Sequence, residues 1–433
     1  MNGIFLAIVV VAFAAAAWRQ ITQTPADGAP SPMEALSDGM ISAAGNSVEL
    51  AIGLVGVMAL FLGLMKVAEA GGLLTIIAKL IRPLMTRLFP DVPAGHPAMG
   101  AMILNLSANA LGLGNAATPF GIRAMQELDK LNAHPGTATN AMALFLAINT
   151  ASITLLPTTV IALRAAAGSS DPAAILPTTL FASICGTIAA ISAAMWLGRL
   201  FPAGSASAEP NPLPEAGPDA DSPAVPDALV ADSGAYPLWV SLLALAAMVA
   251  LIPVTIVWGR ALSPWIVPAL MLGFLAFGAL RGVRVYEIFV AGAAEGFQVA
   301  VRIIPYLVAI LVAVGMLRAS GALEAIVTAL AAVTSPFGLP AEALPMALLR
   351  PLSGSGAYGV MASIIQDPAI GPDSYVGMLV STLQGSSETT FYVLAVYFGA
   401  VQVRRMRHAV AAALIADFVA VVAAVAICSA LYR

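Results

Sequence analysis

Apolar runs of about 20 residues, the length that crosses a bilayer, recur from one end of the chain to the other. They predict membrane helices over 2–18, 46–66, 138–164, 174–200, 237–258, 263–281, 296–317, 373–399 and 409–431, about nine spans. Two more apolar stretches, 97–127 and 343–365, are interrupted by Gly, Asn, Ser and Pro, and predict re-entrant hairpins. Stretches 72–89 and 321–335 are amphipathic and predict helices lying at the interface. The N-terminal run lacks a basic n-region and reads as a retained first helix rather than a cleaved signal.

Two spans carry polar nuclei at their middles. One is Asn149-Thr150-Ala151-Ser152-Ile153-Thr154, followed by Pro157; the other is Gln384-Gly385-Ser386-Ser387-Glu388-Thr389-Thr390. Gly weakens a helix interior, Ser and Thr compete for its backbone hydrogen bonds, and Pro breaks it. Within a bilayer an opened backbone survives only where protein buries it or it lines a watery cavity. Both spans are therefore expected to be broken helices, an arrangement from which many transporters build a solute site.

The pattern occurs twice. Ala43–Leu73 aligns with Ala293–Leu323 at an offset of 250, Leu106–Ala110 with Leu352–Gly356 at 246, and Leu146–Thr154 with Ser381–Thr389 at 235. Residues 1–201 and 236–433 thus form two repeats, the second preceded by connecting helices at 237–281. Between them, residues 202–235 are rich in Pro, Ala, Asp and Ser without an aromatic residue, which predicts a flexible linker. From the start of the helix at 46–66 to the start of its partner at 296–317 there are five spans, an odd number, so the repeats are expected to have inverted topology. One side collects Lys66, Lys79, Arg82, Arg87, Arg123, Lys130, Arg199, Arg281, Arg284, Arg404, Arg405 and Arg407. The other collects Arg19, Arg164, Arg260, Arg318, Arg350 and Arg433. The positive-inside bias then puts the N-terminus and linker in the cytoplasm and the C-terminus outside.

Composition agrees with an all-α polytopic membrane protein: 433 residues, 60% hydrophobic and only 10% charged, against about 25% charged in soluble proteins. A net charge of −4 gives no reason to expect a nucleic-acid partner. His96, His134 and His408 are scattered, so no metal or other cofactor is expected. Cys185 and Cys428 lie in apolar runs and read as buried thiols. Two glycine patterns, Gly354–Gly359 and Gly112–Ala117, mimic a dinucleotide fingerprint without the βαβ unit it needs.

Asn105–Leu128, NLSANALGLGNAATPFGIRAMQEL, closely resembles the signature of bacterial spore maturation protein A. Pro351–Ala357 (PLSGSGA) and Gln384–Ala400 (QGSSETTFYVLAVYFGA) resemble spore maturation protein B. These resemblances cover nearly the whole chain except the linker and the helices near 237–281, and imply an A–B fusion of two Gate, or nucleoside recognition, repeats. That family is similar to the membrane Gate regions of ferrous iron transport protein B and, more distantly, to concentrative nucleoside transporters. The chain departs from the iron transporter in having no GxxxxGK[ST] stretch and no hairpin cysteine. The resemblance implies a bacterial inner-membrane protein; a membrane enzyme is not expected, because the sequence offers no Ser/His/Asp set, no metal cluster and no paired carboxylates in the membrane. The resemblance also implies a small polar, nucleoside-like solute, with homo-oligomers compatible.

The candidate site residues are those of the breaks and hairpins. Gln384, Ser386, Ser387, Thr389 and Thr390 on one break would face Asn149, Thr150, Ser152 and Thr154 on the other. Asn105, Ser107, Asn109 and Asn115 on the first hairpin, with Ser353 and Ser355 on the second, would complete a solute site. Glu388, a carboxylate near mid-membrane, is the candidate for coupling to H⁺ or Na⁺. The opposing expectation is a structural pair with Arg302, which shares a helix face with Glu295 and Gln298. If the polar nuclei only pack helices, the protein is a non-transporting scaffold or partner in envelope or spore-type maturation.

Overall fold

The computed structural model describes residues 2–22, 30–201, 235–334, 336 and 338–433. The expected linker, Ala235 apart, lies outside the described residues. The described chain is all helix: α1 (Asn2–Thr22), α2 (Pro32–Ala70), α3 (Leu73–Leu88), α4 (Pro97–Ala110), α5 (Gly114–Lys130), α6 (Asn140–Thr150), α7 (Thr158–Ala166), α8 (Leu176–Leu200), α9 (Leu238–Leu280), α10 (Val285–Ala319), α11 (Ala322–Thr334), α12 (Leu344–Leu349), α13 (Gly354–Ile365), α14 (Tyr375–Ser386), α15 (Thr390–Ala400) and α16 (Ala409–Tyr432). Four of these are long and apolar enough to cross a membrane: α1, α2, α8 and α16.

Both interrupted spans are broken where their polar nuclei fall, α6 from α7 and α14 from α15. The pieces begin alike. Thr139 caps α6 by accepting from the Met142 amide, and Ser374 caps α14 by accepting from the Gly377 amide. These caps keep the sequence offset of 235. The interrupted hairpin stretches become α4–α5 and α12–α13. One expectation fails: the spans at 237–258 and 263–281 are a single helix, α9, so the five-span count becomes four and no longer argues for inversion. The join offers a start signal at Ser263-Pro264 but only Gly259 as a stop, so the first helix runs into the second.

Equivalent helices of the two repeats pack antiparallel. On α2 and α10, Gly39 meets Ala319 and Gly315, Ala59 meets Gly296, and Gly63 meets Phe289. A methyl at Gly296 would come within 2.8 Å of the α2 backbone, so small residues set this separation. Likewise Gly186 of α8 lies against Ala416 and Ala420 of α16, and Gly198 against His408.

Two buried cores result. The first joins α4, α5 and α6 to Val393, Leu394, Tyr397 and Phe398 of α15. The second joins α13 and α14 to Val160, Ile161, Ala162 and Leu163 of α7. Each core therefore combines the hairpin and leading half-helix of one repeat with the trailing half-helix of the other. Both breaks are forced to the boundary between the cores, where the chains cross.

Candidate functional site

At that boundary the breaks are tied together through backbone. The Glu388 amide donates to the Thr150 carbonyl at 2.8 Å. Each break also bonds to its own hairpin, Leu155 N–H to Ala110 O at 2.9 Å and Phe391 N–H to Pro351 O at 3.0 Å. Opened helix ends thus find partners without solvent. The α4–α5 turn depends on Gly112: its φ is +74°, and a Cβ there would lie 2.5 Å from the Leu156 carbonyl.

Beside the first break, buried polar side chains form a relay. Asn109 Nδ2 donates to Asn149 Oδ1 at 2.9 Å, and the Tyr397 hydroxyl reaches the same oxygen at 3.4 Å. Asn105 Nδ2 donates to Tyr397 at 3.0 Å and to the Ala117 carbonyl at 2.7 Å. Asn149 Nδ2 returns to the Phe145 carbonyl, and the Phe145 ring stacks on Tyr397. Asn105 Oδ1 remains a buried acceptor without a partner.

Other expected residues are occupied locally. Ser107, Thr150 and Ser386 donate to carbonyls of their own helices, and Ser353 accepts from the Gly356 amide as the cap of α13. Ser152 Oγ and Gln384 Oε1 have no partner. Ser355 and Glu388 are exposed on the described chain, whereas Ser387 is buried. Asn115 sits in α5, but its side chain lies outside the described residues, as does that of Arg302. Glu295, expected to share a face with Arg302, pairs with Lys66 at 3.1 Å.

The second break carries charges that sequence reasoning missed. Arg350 Nη1 donates to Thr389 Oγ1 at 3.0 Å, and Thr390 Oγ1 donates to Asp417 Oδ2 at 2.6 Å. Arg350 and Asp417 are both buried. With Pro351, Leu383, Ser386 and Ser387 they line a pocket of about 240 Å³, mouth included, whose enclosed part has room for about one water. A lone carboxylate in an otherwise uncharged span was the available signal for Asp417. Tyr397 gave no comparable signal, since an aromatic in an apolar helix is ordinary.

Outside the spans, the loops that lead into and out of the half-helices meet. Arg164, with no exposure, donates to Pro372 O at 2.6 Å, Asp171 O at 3.1 Å, Ser169 Oγ at 3.0 Å and Asp373 Oδ1 at 2.9 Å. Partial burial works against the Asp373 charge. Hydrogen bonds from Ser169 and Ser170 and the Arg164 charge outweigh it, holding the carboxyl below its ordinary value of 3.8. On the opposite loops Arg404 and Arg405 N–H bond the Gly136 carbonyl, and Ala138 N–H bonds the Arg405 carbonyl. Among the described residues no group of His, Cys, Asp and Glu could hold a metal ion.

Paired helix breaks wrapped in an apolar helical frame define a multi-span membrane protein organised around a buried polar crossing. The chain belongs to the Gate, nucleoside recognition, family, whose model matches residues 51–167 and 300–404. It is 45% identical to spore maturation protein B of Bacillus subtilis (strain 168) over 171 residues, 40% of this chain and 95% of that protein. It is also 45% identical to spore maturation protein A of the same organism over 159 residues, 37% of this chain and 81% of that protein. An A/B-like fusion of Gate halves thus stands in one chain. No solved structure matches it. These relationships and the long apolar helices make it a bacterial membrane protein of a transport-associated family.

Proposed function

We propose that the chain is a secondary transporter of a small polar, nucleoside-like solute, coupled to H⁺ or Na⁺ and working by alternating access between inverted repeats. The observation that carries this reading is the crossing itself. Two opened helices meet at the Glu388–Thr150 backbone bond, with Asn105, Asn109, Asn149 and Tyr397 from both repeats buried beside it. The antiparallel packing of α2 on α10 and α8 on α16 supports the inverted arrangement. The one-water pocket at the second break fits a closed state, from which rocking of one core against the other would open the crossing to solute. The hairpin and break residues Ser107, Asn115, Thr150, Ser152, Ser353, Ser355, Gln384, Ser386, Ser387 and Thr389 would line the opened path. Glu388, exposed at its edge, would take the coupling ion.

The test is a thermal-shift screen of the purified chain against nucleosides, amino acids, dicarboxylates and divalent ions, followed by uptake of each stabilising compound into proteoliposomes. Uptake driven by a proton or sodium gradient is expected, and Glu388→Gln is expected to uncouple it. Gradient-driven uptake unchanged in that variant would remove Glu388 from the coupling role.

The second reading, a non-transporting scaffold in envelope or spore-type maturation, is favoured by one observation: the Asn109 amide already donates to Asn149, and the Asn149 amide to the Phe145 carbonyl. Cysteines placed at Ser355 and Asn109 separate the two. A transporter should let a water-soluble thiol reagent reach Asn109→Cys from at least one side, whereas a scaffold should expose only Ser355→Cys.

A further inference from the structure

We propose that Asp417 is a proton-binding site, taking up one proton from the pocket beside the second helix break. It rests on the transport reading for its purpose alone; the site itself stands on geometry. Asp417 is the only charged residue of α16 and is 7% exposed. Thr390 donates to its Oδ2, but Oδ1 is buried without a partner. A carboxylate oxygen left unpaired at this depth is costly, and a proton removes that cost.

Arg350, 6% exposed and lining the same pocket, has an Nε with no partner, and both Glu388 and Asp417 act on its charge. No ion pair within 4.0 Å joins Arg350 to Asp417 among the described residues. Glu388 is exposed, so Asp417 is the buried carboxylate at this break, and its one unpaired oxygen has room for one proton. From the elements packed on α16, the titratable and charged groups are Cys185 and Arg199 of α8, Tyr375 of α14, and Tyr392 and Tyr397 of α15; Cys428 and Tyr432 lie on α16 itself, and α6 brings none. A metal ion is a poorer fit, because hard cations take six or more oxygens, and the carboxylate offers one free. In the binding step a hydronium ion reaching the pocket gives its proton to Oδ1 and leaves as water. Thr390 goes on donating to Oδ2.

Infrared spectra of the reconstituted full chain, titrated from alkaline to acidic pH in potassium chloride, test this without any solute. The wild-type minus Asp417→Asn difference is expected to contain one carboxylic-acid carbonyl band that grows as pH falls. A flat difference, or the same band lost in Glu388→Gln instead, overturns the assignment. Exchanging potassium for sodium should leave the midpoint in place; a sodium-dependent shift would overturn proton binding in favour of a cation. If Asp417→Asn does not stay monodisperse, Asp417→Glu decides: a displaced midpoint supports the site, and a spectrum superimposable on wild type refutes it. A failed uptake experiment leaves this result standing, and a failed titration leaves the uptake reading standing.

Discussion

Arg164 spends its donors on both repeats at once, holding the loop after α7 to the loop before α14 through Asp373 and Pro372. Removing the carboxylate strands a guanidinium with only dipoles around it. Breaking a fully buried pair costs about 3–5 kcal/mol, which the partial exposure of Asp373 reduces to about 1–3 kcal/mol for Asp373→Asn, read as thermal unfolding in detergent. The pH dependence has a definite sign. A folded carboxyl held below its ordinary value of 3.8 contributes stability above that value and loses it as pH falls through the folded value. Wild type should therefore lose thermal stability below about pH 4, and Asp373→Asn should lack that part of the loss. Within the relay, Asn149→Ala leaves the Asn109 amide and the Tyr397 hydroxyl without their shared acceptor. A cost of about 1–3 kcal/mol is expected from the same melts.

Between elements, close approach sets the α2–α10 contact, beside the partly exposed Lys66–Glu295 pair. Gly296 and Gly315 of α10 let α2 come near enough for Cβ-to-backbone contact, and Gly53 of α2 faces open space. Gly296→Leu should destabilise by about 1–3 kcal/mol or more through overpacking and broaden the size-exclusion peak, while Gly53→Leu should change neither. The breaks were legible because each announces itself by residue type: Pro157 in one, Gly385 in the other, and polar clusters that interrupt an apolar period at an offset of 235. The asparagines of α4 were legible for the same reason. The pairings of Arg350 and Asp417 were not, since their partners Thr389 and Thr390 lie 39 and 27 residues away and periodicity reports only neighbours on one helix. The fusion of two expected spans into α9 was hidden too. A helix stop is a weak local signal, and a lone Gly259 does not supply it.

For the whole molecule, the exchange of trailing half-helices gives the proposed inverted arrangement a measurable consequence. α6 leaves its loop at 131–139, which meets 400–408, whereas α14 leaves its loop at 366–374, which meets 166–175. If equivalent half-helices enter the crossing from opposite sides, these two loop pairs lie on opposite faces of the membrane. By the positive-inside bias, Arg404, Arg405 and Arg407 would put the first pair in the cytoplasm. His134 and Ala369 are exposed positions, one in each pair. A membrane-impermeant maleimide added to intact cells should label Ala369→Cys and spare His134→Cys, with both labelled after lysis. Cys428 is buried and Cys185 half-buried, so wild type gives the background for either measurement. Labelling of both positions, or neither, in intact cells would place the loops on one face. The repeats would then run parallel, and alternating access between inverted halves would have no structural basis.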